Sequence, residues 1–171
     1  MERIVREGML VRLRIAEERD LEFILESEAE PENARYIIAD SRSYHKDTLD
    51  SPAAAHFIVE RKDTGEAVGF LIATGRNSPH HEQYWRRVII NERGKGYGKQ
   101  AMQAIMKWCF EDLKLERLYL DHYTGNPAAG LYLSLGFQYE GVLRRNCRKN
   151  GKLYDVHLMS MLKEEYEALQ R

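Results

Sequence analysis

The sequence predicts one α+β domain built on a mixed sheet. Segments that alternate polar and apolar residues, as half-buried strands do, occur along the whole chain. Two short turn sequences each lie between two such segments, which predicts two antiparallel hairpins. They are residues 62–66 (KDTGE) and Asn150-Gly151. Stretches with helical spacing of apolar residues lie between the predicted strands. A chain of 171 residues has the size of one domain. We therefore expect residues 1–171 to form a single domain.

The first half of the chain predicts one helix and four strands. A helix over residues 17–31 is indicated by the spacing of Leu21, Ile24 and Leu25, and Pro31 is its expected end. A long polar stretch follows, with no predicted element. The strands are expected at residues 10–15, 56–61, 67–74 and 83–90.

The second half predicts two helices and three strands. The first helix follows a glycine-rich segment and ends near Leu113, and the second begins at Pro127, a favoured first position of a helix. The strands are expected at residues 116–123, 136–146 and 152–162.

Composition limits the class of protein. The net charge of −1 and a pI of about 6.6 predict neither a nucleic-acid-binding protein nor a membrane-surface protein. No apolar run approaches the roughly 18 to 20 residues that cross a bilayer, and the charged N-terminal segment does not resemble a secretion signal. Two cysteines are too few for a disulfide framework or a zinc site. The expected environment is the reducing cytoplasm.

The segment ERGKGYGKQ, residues 92–100, places three glycines and three basic residues between a predicted strand and a predicted helix. Glycines adopt positive φ and let the backbone approach a ligand closely, while free N–H groups at a helix N-terminus attract anions. Arg93, Lys95 and Lys99 would add full positive charges. The segment therefore indicates a phosphate-binding loop, and a glycine-rich turn with solvated basic side chains is the alternative.

Two common nucleotide-binding motifs do not fit this loop. A mononucleotide P-loop has Ser or Thr after Gly-Lys, whereas Gln100 follows Lys99 here. A dinucleotide fingerprint needs a third glycine at the position that Lys99 occupies. The pattern that fits is R-x-x-G-x-G, formed by Arg93, Gly96 and Gly98.

With this pattern between a strand and a long helix, the chain resembles the GNAT superfamily of N-acetyltransferases, in which the corresponding loop holds the pyrophosphate of acetyl-CoA. A second motif, NPAAGLYLSLGF, resembles the family's fourth helix, with Asn126 opening it and Tyr132 four residues before Gly136-Phe137. The resemblance covers most of the chain and is densest over residues 84–137. The strand YEGVLRR and the NGK turn are similar to the branch of ribosomal-protein N-acetyltransferases and bacterial spermidine acetyltransferases.

The resemblance implies a GNAT-type fold, with a central mixed, mostly antiparallel sheet of six to seven strands and about four helices. Two strands are expected to splay apart and form the acetyl-CoA cleft, where backbone groups of the first would pair with the pantetheine arm. It implies acetyl-CoA as co-substrate and no metal. For Asn126, a plain helix cap is the alternative to cofactor contact. The predicted cofactor-binding residues are Val88, Ile89, Ile90, Arg93, Gly94, Lys95, Gly96, Tyr97, Gly98, Lys99, Asn126 and Tyr132.

Acetyl transfer to an amine requires a neutral nucleophile and a proton for the departing thiolate. Tyr132 resembles the family's general acid, since a phenol with an unperturbed pKa near 10 can donate a proton to the sulfur. The alternative is an ordinary amphipathic aromatic on a short helix.

The general base is less clear from the sequence. Many relatives in this branch carry Glu where this chain has Tyr84. Glu82 lies two residues earlier and shares a strand face with Tyr84, so Glu82 is the predicted base and both are predicted acceptor-binding residues. His80 and His81 have a suitable unperturbed pKa, and at most one of them would serve. An exposed strand-end carboxylate is the alternative for Glu82.

The predicted function is acetyl-CoA-dependent N-acetyl transfer, by direct transfer, to a primary amine of a polyamine, a small molecule or a protein N-terminus. Residues 17–32 hold seven glutamates and one aspartate against one arginine, which favours a cationic acceptor. One alternative is a non-catalytic acyl-CoA-binding sensor or partner domain. Another is an RNA-binding module at residues 144–152, which lack aromatic residues, so nucleic acid is the least favoured partner. A membrane partner is not expected, and the final strand could pair across a homodimer.

Overall fold

The computed structural model describes residues 4–171, which form an eight-stranded sheet with helices on both faces. The strands are β1 (Ile4–Glu7), β2 (Val11–Ile15), β3 (Ala54–Arg61), β4 (Ala67–Thr74), β5 (Glu82–Ile90), β6 (Arg117–Tyr123), β7 (Gln138–Lys149) and β8 (Lys152–Leu162). The α-helices are α1 (Leu21–Ala29), α2 (Pro31–Ala34), α3 (Arg42–Asp50), α4 (Tyr97–Lys107), α5 (Ala128–Ser134) and α6 (Lys163–Leu169).

The strand order is β1-β2-β3-β4-β5-β6-β8-β7. Of the seven neighbouring pairs in this part of the chain, only β5 and β6 run parallel. The mixed, mostly antiparallel sheet is therefore confirmed. The final strand β8 lies between β6 and β7, with residues 156–162 paired with β6, and the outer strand at this end of the sheet is β7.

The structure has one strand more than the upper end of the prediction and two helices more than the expected four. The additional strand is β1, which pairs with β2. Helix α3 lies in the stretch for which no element was predicted. Its two buried residues are His45 and Thr48, so it lacks the apolar period by which helices are recognised. Its start is fixed locally, because Ser41 Oγ accepts a hydrogen bond from Tyr44 N at 3.2 Å.

One predicted helix end differs from the observed one, and another is reached by a change in the type of helix. Helix α1 ends at Ala29, and Pro31 then opens α2 instead of only ending the preceding helix. Proline fits there because the first turn of a helix needs no N–H partner. Helix α4 ends at Lys107 and continues as a π-helical turn over Trp108–Asp112.

The sheet separates two apolar cores. The larger core, between the sheet and α4, contains Phe57, Leu71, Met102, Ile105 and Leu118. The smaller one, on the α1–α3 face, contains Ile24, Ile58, Phe70, Ile72 and Ile89. No helix within residues 4–171 combines the length and the apolar character needed to cross a lipid bilayer.

Strand β5 contains a β-bulge at Arg86. Arg87 is paired with Ile72 of β4, and Trp85 is paired with the next β4 residue, Ala73, so Arg86 has no opposite residue. A bulge of this kind bends its strand and increases the local twist. Strand β5 therefore changes direction in its middle.

The bulge also changes which side chains face which core. Trp85, before the bulge, lies in the α4-side core, and Val88, after it, packs against the same core. The two residues between them, Arg86 and Arg87, both bind Asp40 on the α1–α3 face. Two successive arginines thus point to one side of the sheet.

Beyond the bulge, β5 and β6 separate. Their parallel pairing covers only Glu82–Trp85 against Arg117–Leu120, whereas β5 continues to Ile90 and β6 to Tyr123. Strand β6 keeps its other partner, β8, along its whole length. The central gap that was predicted from splayed strands is present.

Candidate active site

A cavity of about 430 Å³ opens at the gap between β5 and β6. It is bordered by the end of β5, the glycine-rich loop, the start of α5 and the segment around α2. The cavity is lined by every predicted cofactor-binding residue except Lys95. Lining residues that the sequence analysis did not identify are Asn33, Tyr36, Ile37, Glu92, Pro127, Ala128 and Leu131.

One edge of β5 is open at the cavity. Residues 88–90 pair with residues 69–71 of β4 on one side. On the other side, β6 has already diverged, and the structure assigns no strand partner there within residues 4–171. An extended chain of the right length can therefore hydrogen-bond to this edge as an additional strand.

The glycine-rich loop turns directly into α4. Gly94 and Gly96 have φ of 76° and 80°, a region that glycine adopts at little cost, and Gly96 is the N-cap residue of α4. A Cβ built on either residue would meet no atom within 4 Å. The loop and the unpaired N–H groups of the first turn of α4 thus face open space, which is the arrangement of an anion site.

The three basic side chains of the loop differ in their partners. Arg93 Nη2 donates to Glu32 O and to Asn33 Oδ1, both at 3.1 Å, and so connects the loop to α2. Lys95 forms an ion pair with Glu92 and lies outside the cavity lining. Lys99 lines the cavity, is exposed, and makes no salt bridge in the described chain.

Tyr132 lies on α5 and lines the cavity with only 6% of its surface exposed. Burial, with a smaller effect of the Asp121 charge, raises the pKa of this phenol above its usual value. The hydroxyl therefore remains protonated at neutral pH. Asn126, just before α5, also lines the cavity, and its Oδ1 accepts a hydrogen bond from Ala128 N at 2.9 Å.

The structure places the predicted base away from the cavity lining. Glu82 is at the start of β5 and pairs with Arg117 at 3.3 Å. His80 and His81 are exposed in the preceding loop. The Tyr84 hydroxyl donates a hydrogen bond to Asp121 Oδ2 at 2.9 Å. Sequence analysis did not single out Asp121, although an acidic residue within the strand sequence LYLDHY was a usable signal.

A buried charge network holds α1 and α3 against β5. Arg87 binds Glu28 through Nε at 3.0 Å and Asp40 through Nη2 at 2.9 Å, and Arg86 binds Asp40 through Nη2 at 2.8 Å. Glu28, Asp40 and His45 bring potential metal-ligand atoms within 4.8 Å of one another. Both carboxylates already contact guanidinium groups, however, and the positive charge of these groups opposes the binding of a metal cation at this position.

Comparisons with known proteins identify the family. Residues 15–137 match the model described as the acetyltransferase (GNAT) family. The chain is 32% identical over 107 residues to the uncharacterized N-acetyltransferase YoaA of Bacillus subtilis, over 61% of this chain and 60% of that protein. With two further Bacillus relatives, the alignments cover only 43% and 48% of the relatives' lengths. The chain is also 30% identical over 125 residues to the spermidine N(1)-acetyltransferase of Vibrio cholerae, over 72% of this chain and 71% of that protein.

Solved structures show the same architecture. Spermidine N-acetyltransferase from Vibrio cholerae in complex with CoA and spermine superimposes with a TM-score of 0.83 and 25% identity, over 94% of this chain and 99% of that chain. A probable acetyltransferase from Chromobacterium violaceum has a TM-score of 0.84 at 22% identity, over 98% of this chain and 89% of that chain. The family model, the sequence relatives and the fold agree: this chain belongs to the acetyltransferase (GNAT) family.

Proposed function

We propose that the protein is an acetyl-CoA-dependent N-acetyltransferase that transfers the acetyl group directly to a primary amine. The observation that carries this proposal is the open edge of β5 leading into a glycine-rich loop at the N-terminus of α4. An extended ligand with a phosphate-rich end matches this combination of a strand edge and an anion site. We infer that the whole chain acts as a single domain.

In this proposal, the backbone of Val88 to Ile90 pairs with the amide groups of the pantetheine arm. The pyrophosphate lies over the loop between Gly94 and Gly98, where free N–H groups and the α4 dipole stabilise its charge. A cavity of about 430 Å³ falls within the range of small-molecule sites. The acetyl end then lies toward α5, the helix that carries Tyr132.

Tyr132 acts as the general acid. Its phenol is inside the cavity lining, and burial keeps it protonated, so it can deliver a proton to the CoA sulfur as the thioester breaks. The acceptor proposed is a cationic amine of the polyamine class. This choice is supported by the Vibrio cholerae relative named a spermidine N(1)-acetyltransferase and by the related structure that contains spermine.

The direct test is CoA release from acetyl-CoA in the presence of spermidine, spermine, a basic peptide with a free N-terminus and a neutral small amine. We expect amine-dependent thiol release, fastest with the polyamines, and a product mass increased by one acetyl group. Tight binding of acetyl-CoA without transfer to any amine would instead support an acyl-CoA sensor, the alternative that Tyr84 in place of Glu suggests.

Replacing Gly96 with Ala is expected to weaken CoA binding by about tenfold, because an L-residue at φ of 80° is strained and its methyl group enters the anion site. The measurement is titration calorimetry with CoA. Gly151→Ala is a matched control, since Gly151 has φ of 75° and an equally open Cβ position in the β7–β8 turn. Equal CoA affinity in the two folded variants would contradict the loop assignment.

Salt should weaken CoA binding mainly through Lys99. This lysine lines the cavity without an ion pair among the described residues, whereas Lys95 is neutralised by Glu92. Between about 0.05 and 0.5 M NaCl, we expect the affinity of Lys99→Ala to change less than that of the wild type, and that of Lys95→Ala to change as the wild type does. Dephospho-CoA measured in parallel reports the share of the 3′-phosphate. Identical salt slopes for all three proteins would argue against contact between Lys99 and a phosphate.

A further inference from the structure

Asp121 occupies the point at which the central strands separate. Leu120, the residue before it, makes the last pair with β5, opposite Trp85. Asp121 Oδ2 accepts the hydrogen bond of Tyr84 across the two strands. The side chain is half-buried, and residues 4–171 provide it with no salt bridge. A carboxylate thus stands at the entrance of the gap with one neutral partner.

The carboxylates that bind the arginines of β5 on this side of the sheet are neutralised. Glu28 and Asp40 share the guanidinium groups of Arg86 and Arg87, so that two negative charges meet two positive ones. Asp121 is therefore the acidic group at the gap that retains an uncompensated charge within the described chain. A cationic ligand approaching from the α1–α3 face is attracted to this carboxylate.

The surroundings of Asp121 suit an ammonium group. Tyr84 stacks on Tyr119 with ring centroids 5.1 Å apart, and Tyr123 stacks on Tyr154 at 5.9 Å. Aromatic faces stabilise cations, and the rings of Tyr119 and Tyr154 each already have a basic side chain over them, at 5.3 and 5.2 Å from the centroid. The aliphatic part of an amine gains apolar contact with the ring edges. A carboxylate among tyrosine rings is chemistry that recognises a protonated amine.

Asp121, like Glu82, is not among the residues that line the cavity, but it is next in sequence to a neighbour of the proposed acid. His122, the next residue along β6, faces the opposite side of the sheet, and its ring lies 6.3 Å from that of Tyr132, centroid to centroid. Asp121 and Tyr132 are thus on opposite faces of the sheet, near the place where β5 and β6 separate. An acetyl group between them would have a proton acceptor on one side and a proton donor on the other.

We propose that Asp121, oriented by Tyr84, binds the ammonium group of the acceptor and takes its proton. This inference rests on the proposed acetyl-transfer function and assigns to Asp121 the role for which the sequence suggested Glu82. In the relatives' pattern a Glu at position 84 would bring a carboxylate to β5. Here the Tyr84 phenol reaches across to a carboxylate supplied by β6 instead.

The ammonium group transfers one proton to Asp121, which later releases it to solvent. The neutral amine nitrogen forms a bond to the acetyl carbon, and the carbon–sulfur bond breaks as its electron pair passes to sulfur. Tyr132 gives its proton to that sulfur and regains one from the nitrogen. The products are an N-acetyl amine, CoA thiol and one released proton.

The test compares Asp121→Asn with wild type in steady-state acetylation. Asparagine keeps the shape and still accepts a hydrogen bond from Tyr84, but it cannot take a proton. With spermidine we expect kcat/KM to fall at least about tenfold. With methoxyamine, whose nitrogen is unprotonated at neutral pH, the loss should be much smaller. Equal losses with both acceptors would overturn the proton-transfer role.

Three variants accompany this test. Tyr84→Phe should reduce kcat/KM less than Asp121→Asn, because the carboxylate remains and only its orientation is lost. Asp63→Asn, in the exposed turn between β3 and β4, is a matched carboxylate control and should behave as wild type. If Glu82→Gln shows the acceptor-dependent loss and Asp121→Asn does not, the base is Glu82 and the proposal is wrong.

A binding measurement separates this proposal from the proposed function. Spermidine is titrated calorimetrically into protein saturated with CoA, where no acetyl group is present to transfer. We expect binding to wild type and roughly tenfold weaker binding to Asp121→Asn. If wild type acetylates amines and Asp121→Asn binds and acetylates equally well, the enzyme assignment stands and the Asp121 site falls. If wild type binds spermidine through Asp121 without acetylating it, the Asp121 site stands and the enzyme assignment falls. Wild-type protein that neither binds nor acetylates amines contradicts both the Asp121 site and the enzyme assignment.

Discussion

Tyr132→Phe is expected to lower kcat by about 10²-fold and to leave CoA affinity nearly unchanged. The substitution removes one oxygen and keeps the ring, which packs near His122 and Phe137 with centroids 6.3 and 6.2 Å away. A group that acts only as sulfur departs contributes little to ground-state binding, so the loss should appear in kcat and not in KM. Stopped-flow or steady-state thiol release measures the rate, and calorimetry measures the affinity.

The pH dependence gives this prediction a second readout. Because burial raises the pKa of Tyr132, the protonated, active form should persist above the usual tyrosine range. We therefore expect no alkaline fall in kcat caused by Tyr132 below about pH 10. Tyr166→Phe is a suitable control, since this buried phenol on α6 donates to Glu111 at 2.9 Å and does not line the cavity. A loss of affinity with kcat intact would make Tyr132 a cofactor contact instead of an acid.

Arg87→Leu is expected to lower the free energy of unfolding by about 3 to 5 kcal/mol. The side chains of Arg87 and Glu28 are 8% and 1% exposed, so leucine would leave the Glu28 carboxylate buried without its counter-charge. Chemical denaturation monitored by fluorescence of the two tryptophans provides the measurement.

Arg86→Leu is the matched control for this prediction. The Arg86 side chain is 27% exposed, and Asp40 would keep its contact with Arg87, so we expect a smaller loss of about 1 to 2 kcal/mol. The double variant Arg87→Leu/Glu28→Leu should recover part of the stability, because replacing both members of a buried pair leaves no unpaired charge. An Arg87→Leu protein as stable as wild type would show that Glu28 is solvated or neutral and that the network does not hold α1 and α3.

The parts of the fold that depend on local patterns could be predicted from the sequence. The alternation in β2 to β6, the Asn150-Gly151 turn and the glycine-rich loop each reflect backbone preferences that neighbouring residues determine. The resemblance carried by Arg93, Gly96 and Gly98 then led to the family that the comparisons confirm. For the same reason, the predicted cofactor-binding residues, except Lys95, gather around one cavity.

What could not be predicted depends on contacts between distant segments. Helix α3 is held by buried polar groups, since His45 Nε2 lies 3.2 Å from Glu28 Oε2 of α1, and no apolar period marks it. The partner of Tyr84, Asp121, is on a different strand, 37 positions away in the chain. Its contact with Tyr84 could be recognised only from the structure, in which β6 lies beside β5. Glu82 was predicted as the base without knowledge of its ion pair with Arg117, because that contact also joins two different strands.

The single unpaired residue at Arg86 changes which residues of β5 face the α4-side core. Odd-numbered Trp85 faces it before the bulge, and even-numbered Val88 and Ile90 face it afterwards. Deleting Arg86 would let β5 continue in regular alternation from Trp85 to Arg87, and every side chain from position 87 onward would keep its face. Val88 and Ile90 would remain against the α4-side core, but the strand would lose the bend that carries it away from β6, and Asp40 would lose its contact with Arg86. Among homologous chains, the length of this segment should therefore vary less than its residue types, because substitutions keep the unpaired residue and a one-residue deletion removes it together with the bend.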